Sequence, residues 1–240
     1  YNIDINDLTL LEACLDKKSG ISDIGNAKMY YSSFNKKLND LVAHGVTPDE
    51  AKSITNTDAI VAVVFIYQGS EEQGIKEGAS MVFRGTPGGA WCDNANMESD
   101  CTSQFEKDGF IYDWISPLDR ASLLNVEDTL LKIKEDDDDA ARLCRRFMKE
   151  GKLVLSAHSQ GGKRAVTAKG IFKKLQNTRC MVFDAPGISP EHWDELVNRL
   201  GVEKVENMRK DIFSIYAHQD IVHGIGYTEE NGYFAGNQIV

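Results

Sequence analysis

The sequence predicts an α/β fold: a mostly parallel sheet flanked by helices, with a helical segment ahead of it. Three observations carry this. From residue 150 onward, strand-length apolar runs alternate with runs of helical period. The most apolar stretch, "AIVAVVFIY" (59–67), has strand length and is bounded by turn residues. With 240 residues, 42% hydrophobic and 27% charged, the chain has the composition of one globular domain with a sizeable core.

Taken in order, "DLTLLEACLDKK" and "SSFNKKLNDLVAHG" space their apolar residues as helices do. Gly45 gives a stop, and Thr47-Pro48 a new start. Residues 1–57 are therefore read as a helical segment packed on a core of residues 58–240. "AIVAVVFIYQ" runs through "GSEEQGIKEG" to "ASMVFRGT", the pattern of a hairpin. Residues 87–100 read as a loop. The aromatic stretch at 101–125 stays open between helix and wall, and between the border of a lipid groove and plain core. Residues 126–150 are helical with an acidic interruption.

Strand 152–157, helix 161–177, strand 180–185, helix 189–201 and strand 211–217 follow. Ser189-Pro190-Glu191 supplies a cap, a first-turn proline and a first-turn acid. The β-α-β-α-β order demands a parallel sheet with crossover helices. Ligands on such sheets bind beyond the strands' carboxyl ends, where the loops at 158–162, 184–188 and 218–224 lie.

Charge and composition narrow the function. A net charge of -10 and a pI near 5.0 repel phosphate backbones, so nucleic acid is not expected as a partner. No apolar run reaches the roughly 18 residues of a membrane span, and no signal peptide is visible. The chain is read as that of a soluble protein, in a bacterial cytoplasm or exported. Its start at Tyr1 suggests a longer natural product, which leaves the compartment and export route open. The five cysteines form no C-x-x-C pair, so no zinc or redox site is expected; a Cys92–Cys101 bridge is the alternative to small buried hydrophobes. "KEDDDDAARLCRR" (134–146) lacks the spacing of a calcium loop and reads as a solvated acidic turn. Lys163, Arg164, Lys169, Lys173 and Lys174 read as the solvent side of an amphipathic helix, with transient contact to a membrane surface as the alternative.

The most informative stretch is "LVLSAHSQGGKRAV" (153–166). One reading is a nucleophile elbow, a sharp strand-to-helix turn with Ser159 at its tip and small neighbours Ala157, Gly161 and Gly162. The other is a phosphate loop, with Lys163 and a strand-ending Asp184. That loop requires a glycine where Ala157 stands and a magnesium-binding hydroxyl where Arg164 stands. A guanidinium cannot ligate a cation, and the elbow is preferred.

A second stretch, "SMVFRGTPGGAWCDN" (80–94), joins it. Together with "LSAHSQGG", "FDAPGISPE" (183–191) and "YAHQDIV" (216–222), it resembles the class-three lipases, and more closely the related bacterial lipase-like α/β-hydrolases of unknown substrate. The resemblance runs from about residue 58 to 226. It implies an α/β-hydrolase-like fold, serine esterase chemistry and acyl-lipid substrates. It makes Ser159 the nucleophile, Thr86 and Gln160 the oxyanion hole, and Asp220 the triad acid, with Asp184 a competing acid. No cofactor or metal is required by that chemistry.

The histidine departs from the pattern, which places it well beyond the acid. Here only His223 follows Asp220, so the base is expected to be His223 or a histidine beyond Val240. His158 is read as packing under the turn and His192 as a helix-surface residue; His44 is remote and His218 is not expected to be catalytic. Asp93 falls one residue short of W-x-x-D, which weakens its supporting role. Ala157 in place of glycine is tolerable if its φ is negative. The expected function is hydrolysis of carboxylic esters of acyl lipids, acylglycerol or phospholipid, through an acyl-enzyme on Ser159. The alternative is a catalytically silent lipase-like module that binds lipid or a partner protein.

Overall fold

The computed structural model describes residues 21–24, 27–31, 62–67, 69–72, 74, 76–85, 103–115, 117–188, 190–216 and 237–239. The strands are β1 (Ile21–Ile24), β2 (Ala27–Tyr31), β3 (Ala62–Tyr67), β4 (Gly78–Phe83), β5 (Ser103–Lys107), β6 (Phe110–Ile115), β7 (Val154–His158), β8 (Arg179–Phe183), β9 (Ile212–Ile215) and β10 (Asn237–Ile239). The helices are α1 (Pro117–Glu135), α2 (Asp139–Lys149), α3 (Gln160–Ile171), α4 (Pro190–Leu200) and α5 (Val202–Lys210).

Eight strands form one sheet in the order β1-β2-β3-β4-β7-β8-β9-β10. The fold is α/β, but the sheet is mixed rather than mostly parallel. From β1 to β4 every pairing is antiparallel, and from β4 to β10 every pairing is parallel. The β3–β4 hairpin is as the sequence predicts, with Ala62 opposite Phe83 and Tyr67 opposite Gly78. Residues 21–24 and 27–31 overturn part of the helical reading of 1–57, because they form β1 and β2. The two quoted helical runs in that segment lie outside the described residues, while β2 joins the sheet beside β3 and buries Tyr30 in the core.

Each parallel step moves the same way across the sheet, so right-handed crossovers stack the connecting helices on one face. Alternation along the strands follows. Val64, Met81, Leu155, Ala157, Cys180, Val182 and Ile212 point into the helical layer and are buried. Their alternates, including Val82, Met181 and Phe183, lie on the other, more exposed face. Cys144 and Cys180 are buried free thiols, as small hydrophobes would be; burial pushes both up to about 12.

The open aromatic stretch resolves into a hairpin. Asp108 and Gly109 both take positive φ, 53° and 79°, the two-residue turn whose twist matches that of paired strands. Phe105, Tyr112 and Ile115 are core, while Phe110 and Ile111 at the tip are exposed. The next element, α1, opens at Pro117 with Asp119 in its first turn.

The acidic interruption is a helix corner engaged by side chains, not a solvated turn. Asp138 caps α2 by accepting from the Ala141 N–H at 2.8 Å. Tyr30 of β2 donates to Asp136 at 2.6 Å, and Lys28 pairs with both Asp136 and Asp138. Asp137 and Asp139 face water, and Arg142 pairs with both.

The basic helix face is also corrected. Nearly all of α3 is buried. Arg164 and Lys169 are 2% and 0% exposed. Lys169 donates to the carbonyls of Gln176 and Thr178, tying down the turn that follows the helix. That turn ends α3 at Ile171, short of the expected 177, and only Lys173 and Lys174 of the set are exposed. Gly170 lets α4 close on α3; a Cβ there would lie 2.9 Å from a Leu196 methyl.

Candidate active site at the β7–α3 turn

Ser159 sits between the last residue of a central parallel strand and the first residue of α3. Its φ and ψ are 54° and -137°. L-residues other than glycine avoid that region, and a serine held there stores roughly 1–3 kcal/mol. A serine preceding a helix ordinarily swings its hydroxyl inward to cap it. Ser159 makes no such side-chain cap bond. Its backbone N–H donates to the Phe183 carbonyl at 2.8 Å, and its carbonyl accepts from Gly162 at 2.8 Å, so the main chain of the turn is fixed at both ends.

The two glycines after Ser159 have separate steric duties. A Cβ on Gly161 would stand 2.6 Å from the Arg84 carbonyl oxygen and 2.9 Å from the Phe83 oxygen, both at the exit of β4. A Cβ on Gly162 would collide with Ala185 and stand 3.1 Å from the Val182 Cβ, at the exit of β8. The glycine pair thus allows the start of α3 to lie directly on two strand ends. Ala157 is absent from the positive-φ residues, so its replacement of glycine is accommodated.

Gln160 opens α3 and is buried. Helix geometry leaves its N–H without an intrahelical acceptor, at the positive end of the helix dipole and one residue from Ser159. Such a group is suited to an anion developing beside the serine.

Asp184 also follows its strand with a positive φ, 46°, and lies at the same sheet edge. The Nε2 atom of His158 is 3.9 Å from an Asp184 carboxylate oxygen. The His158 side chain is 69% exposed and points to the sheet face away from α3, so it does not pack under the turn. His192 differs from its reading as well. It is buried, and desolvation, assisted by the Lys163 charge, holds its pKa well below the ordinary histidine value.

Beneath the turn lies a charged group that the sequence reading missed. Asp119, on the first turn of α1, is 3.3 Å from Lys163 and 3.4 Å from Arg164. Its one sequence signal is Ser116-Pro117-Leu118-Asp119, a helix start like that at 189–191. Its partners, 44 and 45 positions away, left no trace.

Thr86, Asp93, Asp220, His218 and His223 lie outside the described residues. The phosphate-loop reading finds Arg164 turned into the interior toward Asp119. A cavity of about 620 Å³ bordered by Lys107, Leu131, Phe172 and Lys174 lies at the far end of α3. Twelve helical residues separate it from Ser159, roughly 18 Å, so it is a separate feature. Among the described residues no group of histidine, cysteine and carboxylate side chains is arranged to hold a metal, and no helix is long and apolar enough to cross a membrane.

No family model matches the chain, and no curated protein does. Among solved structures, the chain is similar to a fungal lipase in complex with an inhibitor, at 12% identity and a TM-score of 0.42, covering 88% of this chain and 82% of that one. It is also similar to the Rhizomucor miehei lipase with its propeptide, at 13% identity and a TM-score of 0.38, covering 97% and 79%. Both weak neighbours are lipases, but TM-scores this low carry no functional weight.

Proposed function

We propose that the protein hydrolyses carboxylic esters through a covalent acyl-enzyme on Ser159. The observation that carries this is the strained Ser159, held at the end of a parallel strand with its hydroxyl not used for capping, immediately before a helix N-terminus. In the reaction, the Ser159 oxygen attacks the ester carbonyl as a base takes its proton. The tetrahedral oxyanion faces the Gln160 N–H. The alkoxide leaves with the proton, and water repeats the sequence to release the acid.

The sequence resemblance supports assigning Thr86 as the second oxyanion donor, Asp220 as the orienting acid, and acyl lipids as the ester class. His223 is the base to test first, and Asp184 the alternative acid. A fluorophosphonate probe should form one adduct, located by mass spectrometry at Ser159 and lost in Ser159→Ala. His223→Ala and Asp220→Asn should slow labelling. A folded protein that resists the probe would instead support the silent lipid- or partner-binding module.

A further inference from the structure

We propose that Arg164, steadied by Asp119, is a positioning residue of this site: its guanidinium holds the Arg84 carbonyl and so fixes the exit of β4 against Ser159. The inference rests on the serine-hydrolase reading above and adds to it a device for holding the oxyanion side of the site in register.

The placement of Arg164 is costly in burial and in its position on the helix dipole. Its side chain is 1% exposed, although guanidinium groups are rarely buried without strong pairing. It is the fifth residue of α3, and with Lys163 it places two cations at the positive end of the helix dipole, where the first turn carries no acid. A helix needing only to pack would do better with an apolar residue.

What Arg164 touches explains the choice. Its Nε atom lies 3.4 Å from Asp119 Oδ1, and its Nη1 atom 3.5 Å from the Arg84 carbonyl. The planar fork therefore spans from α1 to the residue that follows β4. Lys163 reaches the other Asp119 oxygen at 3.3 Å, which orients the carboxylate between the two cations.

The Arg84 carbonyl is the same group that lies against Gly161. It is gripped from one side by the absence of a side chain and from the other by a guanidinium. The next residue, Gly85, borders the nucleophile: a Cβ there would be 3.7 Å from the Ser159 Cβ and 3.2 Å from the His158 carbonyl oxygen. Any slide of the β4 exit therefore moves backbone in contact with the reactive serine. Lysine cannot reproduce this role, since an ammonium is a point charge and does not offer two fixed N–H directions.

The test is the rate of fluorophosphonate inactivation, resolved into the maximal rate constant and the half-saturating concentration, for wild type, Arg164→Lys, Arg164→Met and Asp119→Asn. Thermal midpoints are measured on the same samples. Arg164→Lys keeps the charge and the Asp119 partner. It should lower the maximal rate about 10- to 100-fold, the scale of a misplacement of about 1 Å, with half-saturation and thermal midpoint nearly unchanged. Arg164→Met should be at least as slow, and Asp119→Asn intermediate. A purely structural ion pair would instead move the thermal midpoint and leave the maximal rate of the folded fraction alone.

Wild-type rates in Arg164→Lys and Asp119→Asn, with wild type itself labelled at Ser159, would overturn the positioning role and leave the hydrolase reading standing. Failure of folded wild type to label would overturn both.

Discussion

Substituting Gly161 by alanine tests whether α3 and the exit of β4 are in backbone contact. In an ordinary helix interior the change would help, because alanine is preferred over glycine by about 1 kcal/mol. Here the new methyl would meet the Arg84 oxygen at 2.6 Å and the Arg84 carbon and Phe83 oxygen at 2.9 Å. All three are backbone atoms, so no side chain can rotate away, and overpacking of this kind costs about 1–3 kcal/mol. Taking the upper end and subtracting the propensity gain leaves a net loss of about 2 kcal/mol, or about 4–8 °C in a chain of this size. The labelling rate at Ser159 should fall too, because the displaced carbonyl adjoins Gly85. Gly78→Ala is the control: an added Cβ there meets nothing within 4 Å, so stability should hold or rise by up to about 1 kcal/mol. Urea unfolding with unchanged slope measures both. If Gly161→Ala matched Gly78→Ala in stability and labelled at the wild-type rate, the contact that organises the site would not exist.

Ser159→Gly should remove the probe adduct and stabilise the fold. Releasing roughly 1–3 kcal/mol of backbone strain, against roughly 0.5–1 kcal/mol of added glycine entropy, leaves a gain of up to about 2 kcal/mol. Ser159→Ala keeps the strained φ and should stay near wild type; equal urea midpoints for the two variants would refute the strain. The corner at Asp136 gives a pH prediction. The Tyr30 hydroxyl, with the Lys28 ammonium behind it, holds the Asp136 pKa down at about 2 from the usual 3.8. A depressed carboxylate adds stability above its unfolded pKa and loses it as pH falls, here between about 4 and 2. The shift corresponds to at most about 2.5 kcal/mol, which solvent at a side chain 23% exposed trims toward about 1 kcal/mol. Unfolding midpoints from pH 5 to pH 2 should show this acid-side decline, and Tyr30→Phe should flatten it; an unchanged slope in Tyr30→Phe would remove the hydroxyl as the cause.

The central strands were legible because they are short apolar runs bounded by turns and helices, with burial on the helical face at every second residue, as in 154–158 and 179–183. The hairpin at 103–115 was obscured although its signal was present. Asp108-Gly109 is a strong turn pair, but the aromatic residues on both sides suited helix and strand alike. Gly25-Asn26 similarly separates the runs that become β1 and β2, and the helical periodicity quoted on either side outweighed it. Gly201, with φ 84°, ends α4 where the sequence reading ended its helix, but α5 directly after it was not read as an element. The elbow was legible because its chemistry is local: a strand, a serine and two small residues within six positions. The cation cluster was not, because the burial of Arg164 and Lys169 depends on Asp119 and on carbonyls in a later turn, which no local pattern encodes. Thr86, Asp220 and His223 rest on the resemblance alone.

Several unfavourable local choices meet around Ser159. Ser159 and Asp184 both hold positive φ without being glycine. Two consecutive glycines sit in a first helical turn, where their propensity is poor. Two cations face the positive end of a dipole, and one of them is buried. Each choice opposes local stability, and a connecting turn between a strand and a helix needs none of them. Such conflicts persist where surrounding structure over-determines them, and they gather at sites that must hold a reactive group in one geometry. Here they also share one geometric result. Gly161 and Arg164 fix the exit of β4, Gly162 admits the exit of β8, and Ser159 stands between the two with its hydroxyl not used for capping. A turn built only to connect has no use for a strained serine on two glycines, whereas a nucleophile site uses the serine and both glycines directly, and a cation that holds the β4 exit serves the same geometry.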